Sequence, residues 1–165
     1  MNIILHQPEI PQNTGNIGRT CAATGTALHL IEPLGFRLSK KELLRSGMDY
    51  WDTLQVTRYI NYEAFREAHP DATVWMATTK APRSYTDVTY GADDYILFGK
   101  ESAGIPEEIL VQNEPSCIRI PMLADARSLN LSNAVAIVLY EALRQNDFLH
   151  MQTAGALHRL TWREP

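Results

Sequence analysis

Three polar segments of the chain have residue types that bind ligands through backbone groups and short side chains. In the first, residues 8–19, Arg19 stands among uncharged neighbours. The second, residues 98–106, has two glycines five positions apart, and glycine lets a ligand approach backbone amides and carbonyls closely. The third, residues 125–133, holds five Ser, Asn and Asp side chains, more than one helix N-cap uses. The pattern favours a ligand site built from three loops, although packing and capping alone explain part of each segment.

Several common kinds of site are disfavoured by the same residues. Gly15 and Gly18 make only part of the dinucleotide fingerprint GxGxxG, and the chain has no GxxxxGK[ST] phosphate loop. The five histidines form no HxxxH or HxH pair, and Cys21 and Cys117 belong to no CxxC, so the sequence predicts no metal site. Neither cysteine has an evident base and GxSxG is missing, which argues against nucleophilic catalysis.

Length and composition predict one globular domain. The chain has 165 residues, of which 45% are hydrophobic and 21% charged. Its net charge of −4 means that any nucleic acid would be held by a local basic patch. No segment approaches the roughly 18 apolar residues of a membrane span, and the N-terminus lacks the basic region of a signal peptide. We therefore expect a cytoplasmic protein without a membrane segment.

The elements that must position the three segments alternate between short apolar runs and helical patterns. The predicted strands are residues 2–6, 27–31, 54–59, 73–78, 95–98 and 117–120. The predicted helices are residues 13–24, 40–45, 62–68, 106–111 and 132–145. This alternation is typical of an α/β fold with a mostly parallel sheet flanked by helices. Such sheets bind ligands at the carboxyl ends of their strands, and each polar segment follows a strand.

The segments NTGNIGR (13–19), FGKESAGIP (98–106) and IPM…SLNLSNAVAIVLYE (120–122 and 128–141) resemble the three motifs of the SPOUT superfamily of RNA methyltransferases. Up to about Arg144, the chain is similar to the small bacterial TrmL/YibK type, which methylates the tRNA wobble ribose. The resemblance implies a SPOUT-like fold with a C-terminal deep trefoil knot, in a single domain over residues 1–146. Residues 147–165 form a C-terminal tail about which the resemblance says nothing.

The implied reaction is methyl transfer from S-adenosyl-L-methionine to the ribose 2′-hydroxyl of the wobble nucleotide. That nucleotide, number 34 of tRNA, is a cytidine or a 5-carboxymethylaminomethyluridine. The resemblance places the cofactor against the ends of strands and the third motif. The implied cofactor-binding residues are Ala77, Thr78, Gly99, Gly104, Ile120, Met122, Ser128, Leu129 and Ala134.

Four residues are expected to act in catalysis. Arg19 matches the arginine of the first motif and, because arginine keeps its proton, it is expected to stabilise the developing alkoxide or to hold the adjoining phosphate. An exposed helix cation is the alternative interpretation of Arg19. Ser128 and Asn130 would orient the hydroxyl, and Glu101 would fix Arg19.

The RNA is expected to contact two groups of basic residues. Lys40, Lys41 and Arg45 cluster on one predicted helix, while Lys80 and Arg127 lie on loops near the cofactor. An ordinary solvated helix face explains the first group equally well.

A homodimer is expected through the helix 132–145, which is apolar on nearly every face and carries Tyr140 near the interface. A wholly internal helix is the alternative. The sequence also leaves open an rRNA 2′-O-methyltransferase and a catalytically silent RNA-binding knotted dimer. A nucleotide-binding flavodoxin-like module would need a phosphate loop, which the sequence lacks.

Overall fold

The computed structural model describes residues 1–37 and 54–162. Within these residues the strands are β1 (Asn2–His6), β2 (Ala27–Ile31), β3 (Val56–Tyr59), β4 (Val74–Ala77), β5 (Tyr95–Phe98) and β6 (Cys117–Ile118). They form one sheet in the order β3-β2-β1-β5-β4-β6, and every neighbouring pair is parallel. The predicted α/β class with a parallel sheet is confirmed, while the trefoil knot stays a prediction.

The helices are α1 (Pro11–Thr24), α2 (Tyr62–Ala68), α3 (Glu107–Gln112) and α4 (Leu131–Gln145). Helix α1 begins two residues earlier than predicted, because proline suits the first turn, where its missing N–H needs no partner. Its C-cap is Gly25, whose φ of 67° is the left-handed conformation that glycine adopts without strain. The predicted helix over residues 40–45 lies outside the described residues.

Three strands are shorter than predicted, and one of them is β6, which ends at Ile118 instead of residue 120. Beyond it, Arg119 continues the chain as an isolated bridge to Ser84, and its amide donates to the carbonyl oxygen of Arg83 at 2.9 Å. Strand β3 begins two residues later than predicted, and β4 is one residue shorter at each end.

Both faces of the sheet are buried, as parallel sheets require. Because successive strand residues point to opposite faces, Ile3 and Leu5 pack with residues of α1 and α4, whereas Ile4 packs with Phe65 of α2. Hydrophobic burial on both faces thus stabilises the sheet, and the loops that follow the strands lie at its carboxyl edge.

Helix α4 is buried on one side only. Val135, Val138 and Leu139 face the core, but Ile137 is 37% exposed and Tyr140 is 44% exposed. The alternative of a wholly internal helix is therefore wrong for the single chain, which leaves an apolar stripe of α4 in solvent.

Beyond α4, the chain turns back against the core through Phe148 and Met151. Residues 152–162 form no helix or strand. The division into a domain of residues 1–146 and a tail stays a prediction. Among the described residues, no helix is long and apolar enough to cross a membrane.

Candidate active site

A cavity of about 480 Å³ opens at the carboxyl edge of the sheet, between the ends of β4 and β5 and the N-terminus of α4. It adjoins a smaller, largely apolar cavity of about 90 Å³ that reaches Ile118, Ile120 and Met122. The larger volume lies in the range of small-molecule sites. Both cavities are lined by Ala77, Thr78, Thr79, Phe98, Ser128, Leu129 and Ala134.

One wall of the larger cavity is the loop of residues 99–105, which turns back on itself. The amide of Gly104 donates to the carbonyl oxygen of Lys100 at 2.8 Å, and Gly104 has a φ of 74°. A Cβ at Gly99 would overlap the carbonyl carbon of Gly104 and the amide nitrogen of Ile105. Glycine at position 99 is therefore a steric requirement of this wall.

Glu101 connects this loop to the segment before α1. Its carboxylate accepts hydrogen bonds from the backbone amides of Glu9 (2.8 Å) and Ile10 (3.3 Å). It also accepts one from Nδ2 of Asn13 at 2.9 Å. These contacts give Glu101 a positioning role for the first motif.

Asn13 extends the connection to the third motif. Nδ2 of Asn130 donates to Oδ1 of Asn13 at 3.0 Å. Asn130 is also the N-cap of α4, because its Oδ1 accepts hydrogen bonds from the amides of Ser132 and Asn133. The chain Glu101–Asn13–Asn130 thus joins all three polar segments around one cavity.

The family of the chain follows from its similarity to known proteins. A model of the SpoU rRNA methylase family matches residues 1–140. The chain belongs to this family. The predicted resemblance to RNA methyltransferases is therefore confirmed.

Individual relatives of this SpoU-family chain are similar over most of its length. The tRNA (cytidine(34)-2′-O)-methyltransferase of Escherichia coli (strain K12) is 49% identical over 146 residues, which cover 88% of this chain and 93% of the relative. A solved structure concerned with 2-OH methylation of C/U34 on tRNA matches with a TM-score of 0.83 and 44% identity, over 88% of this chain and 95% of that one. The AdoMet-bound rRNA methyltransferase from Sinorhizobium meliloti matches with a TM-score of 0.76 and 28% identity, over 87% of this chain and 55% of that one.

All the cofactor-binding residues that the sequence predicts line one or both cavities of the SpoU-family chain. Gly99 and Gly104 line the larger one, and Ile120 and Met122 line the smaller one. The remaining five are shared: Ala77, Thr78, Ser128, Leu129 and Ala134.

Three of the four predicted catalytic residues line the larger cavity, and Arg19 does not. Ser128 and Asn130 line the larger cavity, and so does Glu101. Arg19 lies on the exposed side of α1, outside the residues that line either cavity. A contact between Glu101 and Arg19 stays a prediction.

Of the predicted RNA-binding residues, Lys80 and Arg127 are exposed. Nζ of Lys80 lies 2.7 Å from Oε1 of Glu107, and this hydrogen-bonded ion pair lowers the pKa of Glu107. Lys40, Lys41 and Arg45 lie outside the described residues. The basic patch is therefore described only in part.

Sequence reasoning missed three residues that hold the loops together. Asn13 is buried and bonds to both Glu101 and Asn130, whereas the N-cap of α1 is Ile10. Glu9 and Ser102 were not considered, although the side chain of Glu9 accepts two hydrogen bonds from Ser102.

The described part of the chain gives little support to a metal site or to a reactive cysteine. No group of three or more His, Cys, Asp and Glu residues there is placed to hold a metal ion. Cys21 and Cys117 are buried thiols, and burial raises the pKa of Cys21 to about 12, so its thiolate is not populated at neutral pH.

Proposed function

We propose that this chain transfers a methyl group from S-adenosyl-L-methionine to the ribose 2′-hydroxyl of the wobble nucleotide of tRNA. The observation that carries the proposal is the convergence of three motif segments, joined by Glu101, Asn13 and Asn130, around one cavity. The Escherichia coli relative and the structure concerned with C/U34 support tRNA over rRNA as the substrate. A tRNA-modifying role is the support for the proposed cytoplasmic location.

The cavities fit the chemistry of this cofactor. An adenine ring needs apolar surfaces above and below and backbone groups at its edge. Met122 and Leu129 line the smaller, largely apolar cavity, and the Gly99–Gly104 loop brings backbone atoms to the larger one. When bound, S-adenosyl-L-methionine supplies an electrophilic methyl group; the protein supplies position and charge.

The 2′-hydroxyl of the substrate must lose its proton as it reacts, so the developing alkoxide needs stabilisation. Arg19 carries a permanent positive charge and is the proposed donor to this alkoxide or to the adjoining phosphate, although it lies outside the residues that line the cavities of the single chain. The hydroxyl group of Ser128 can rotate at the cavity wall, and it orients the ribose by hydrogen bonding. Asn130 uses Oδ1 as the cap of α4 and one Nδ2 hydrogen for Asn13, so one amide hydrogen remains for the substrate.

Phosphate contacts come from Lys80 and Arg127 at the cavity side, together with Lys40, Lys41 and Arg45. Such contacts fix the register of the RNA, whereas an unpaired anticodon loop makes the wobble ribose accessible.

The protein acts as a homodimer in which α4 packs against its copy in a second chain. The support is the stripe of Ile137 and Tyr140, which a single chain leaves exposed. Ile137→Asp and Tyr140→Asp should each shift the molecular mass measured by light scattering to that of one chain. Val111→Asp, at an apolar residue that is 79% exposed on α3, is the matched control and should keep the dimer mass. A wild-type protein with the mass of one chain at micromolar concentration contradicts the dimer.

The decisive experiment incubates the purified protein with tRNA and S-adenosyl-L-methionine and identifies the modified nucleotide by nuclease digestion and mass spectrometry. We expect a 2′-O-methyl group at the wobble nucleotide, and none on a tRNA whose wobble ribose is 2′-deoxy. Methylation of rRNA alone would redirect the proposal to the second substrate class. Cofactor binding with no transfer to either RNA would support the silent knotted dimer.

A further inference from the structure

Two loops at the carboxyl edge hold each other through acidic side chains. Oε2 of Glu9, in the segment between β1 and α1, accepts a hydrogen bond from the amide of Ser102 at 2.9 Å. Oε1 of Glu9 accepts another from Oγ of Ser102 at 2.9 Å. In return, Glu101 accepts a hydrogen bond from the amide of Glu9. We call this reciprocal arrangement of Glu9, Glu101 and Ser102 the loop clasp.

The backbone of Glu9 is fixed from its other side as well. Gly35 approaches so closely that a Cβ there would lie 2.7 Å from Cα of Glu9. The amide of Gly35 also donates to the carbonyl oxygen of Pro8 at 2.9 Å. Because Gly35 and Glu101 hold this segment from two sides, the Glu9 carboxylate is a fixed anchor for Ser102.

The side chain of Glu9 is connected to the cavity through Ser102. Ser102 belongs to the wall formed by residues 99–105, whereas Glu9 is not among the residues that line the cavity. The hydrogen bonds from Ser102 lower the pKa of Glu9, so the anchor is charged at neutral pH.

We propose that Glu9 is a positioning residue that, through Ser102, holds the 99–105 loop in the shape that accepts S-adenosyl-L-methionine. This inference rests on the proposed use of the cavity for that cofactor. Without the anchor, the loop must be ordered when the cofactor binds, and the lost conformational freedom weakens binding. The contact from Glu101 goes to the backbone of Glu9 and survives a side-chain substitution at position 9. Such a substitution removes the two hydrogen bonds from Ser102 and, within the part of the chain that the structure describes, a weaker attraction to Lys100.

The test measures the Kd of S-adenosylhomocysteine by calorimetric titration of full-length variants. Glu9→Ala should weaken binding on the order of tenfold, because two hydrogen bonds to a charged group are lost. Ser102→Ala, which loses only the hydroxyl bond, should weaken it about threefold. Glu9→Gln keeps a carbonyl acceptor and should bind between wild type and Glu9→Ala. Glu108→Ala removes an exposed carboxylate from the nearby α3 and is the matched control.

A double-mutant cycle separates positioning through Ser102 from a general structural effect. In the Glu9→Ala background, Ser102→Ala should have no further effect on the Kd, because their contact is already gone. Thermal unfolding should leave Tm nearly unchanged in all variants; should Glu9→Ala fail to fold, Glu9→Gln and Ser102→Ala decide. Wild-type Kd values in all Glu9 variants, or fully additive effects in the cycle, would overturn the inference alone. No binding by wild type would overturn the proposed function and this inference with it.

Discussion

On the sheet face covered by α2, five polar and aromatic residues bond to one another, whereas the polar residues at the carboxyl edge surround a cavity. Tyr59 contacts two histidines: its hydroxyl lies 3.1 Å from Nδ1 of His29 and 2.8 Å from Nε2 of His69. Nδ1 of His69 lies 3.2 Å from the hydroxyl of Tyr95, and Nε2 of His29 lies 3.4 Å from Oδ1 of Asn2. We call these five residues the His-Tyr network.

One arrangement of protons satisfies every contact of the His-Tyr network. Nδ2 of Asn2 donates to the carbonyl oxygen of Asp93 at 3.0 Å, which leaves its Oδ1 to accept from Nε2 of His29. Neutral His29 then accepts from Tyr59 at Nδ1. His69 donates to Tyr59 through Nε2 and accepts from Tyr95 through Nδ1. Such a closed network stabilises the fold, because its ring nitrogens and hydroxyl protons are satisfied within the protein.

The carboxyl edge differs because its hydrogen bonds connect loops but leave polar groups without protein partners. Among the described residues, Nδ1 of His6 at the end of β1 and Oγ1 of Thr14 in α1 are buried and have no hydrogen-bond partner. Burial, followed by the nearby charge of Lys100, lowers the pKa of His6. Residue type alone therefore does not identify a site; what matters is whether the polar groups already satisfy each other.

The largest effect is expected for the turnover of Arg19→Ala. Because Arg19 supplies the charge that stabilises the alkoxide, its loss should lower kcat roughly a hundred- to a thousandfold. Cofactor affinity and dimer mass should stay near wild type, because Arg19 lies outside the residues that line the cavities. Arg66→Ala, on α2, is the matched control and should keep its activity. Normal turnover in Arg19→Ala removes this residue from the mechanism.

Next in size is the effect of Gly99→Ala on cofactor binding. The added Cβ overlaps backbone atoms of Gly104 and Ile105, so the loop must shift, at a cost of roughly 1–3 kcal/mol. The Kd of S-adenosylhomocysteine should therefore rise roughly tenfold to a hundredfold. Gly155→Ala, where a Cβ meets nothing within 4 Å, should bind like wild type. Equal affinities of the two variants would mean that the loop geometry does not control the cavity.

Much of this fold was predictable from the sequence because it follows from local patterns. Strands β1, β2 and β5 have the predicted bounds, since each is a short apolar run between polar or turn residues. Strand β6 was predicted too long because Arg119 and Ile120 continue the β-rich pattern after pairing with β4 has ended. Its end depends on the neighbouring strand, which local sequence does not encode.

The candidate site was only partly predictable from the sequence. The glycines and hydroxyl-rich segments identified the cavity lining, because they follow strands whose carboxyl ends must meet. The roles of Asn13 and Glu9 were not predictable, since their partners Asn130 and Ser102 are 117 and 93 residues away in the chain. Contacts of that kind follow only from the assembled fold.

A smaller effect is expected from the pH dependence of the His-Tyr network. Burial, then the charge of His69, lowers the pKa of His29 to about 4, against an ordinary value of about 6.5. The unfolded chain therefore binds more protons than the folded one between these values, and stability falls as pH falls through this window. From pH 7 to pH 5, the His29 contribution to the free energy of unfolding should fall by roughly 2 kcal/mol.

Urea unfolding of wild type and His29→Gln at both pH values measures this contribution. The variant should lose less stability than wild type on acidification, and it should keep its methylation activity at neutral pH because the network lies away from the cavity. An identical pH dependence in the two proteins would show that His29 does not titrate in this window. Loss of activity without loss of stability would contradict the division between the two regions.

The smallest effect is expected from Arg127→Ala on tRNA binding. Each phosphate neutralised by Lys or Arg releases counterions and contributes up to about −0.9 to the slope of log K against log salt, less for single strands. Arg127 is exposed on the loop before Ser128, so its loss should weaken tRNA binding severalfold and flatten that slope by roughly one unit. The matched control is Arg159→Ala, in the exposed tail. Filter binding of tRNA over a range of salt concentrations measures both slopes. A wild-type affinity that does not change with salt would show that phosphate contacts do not hold the substrate, despite the basic residues at this edge.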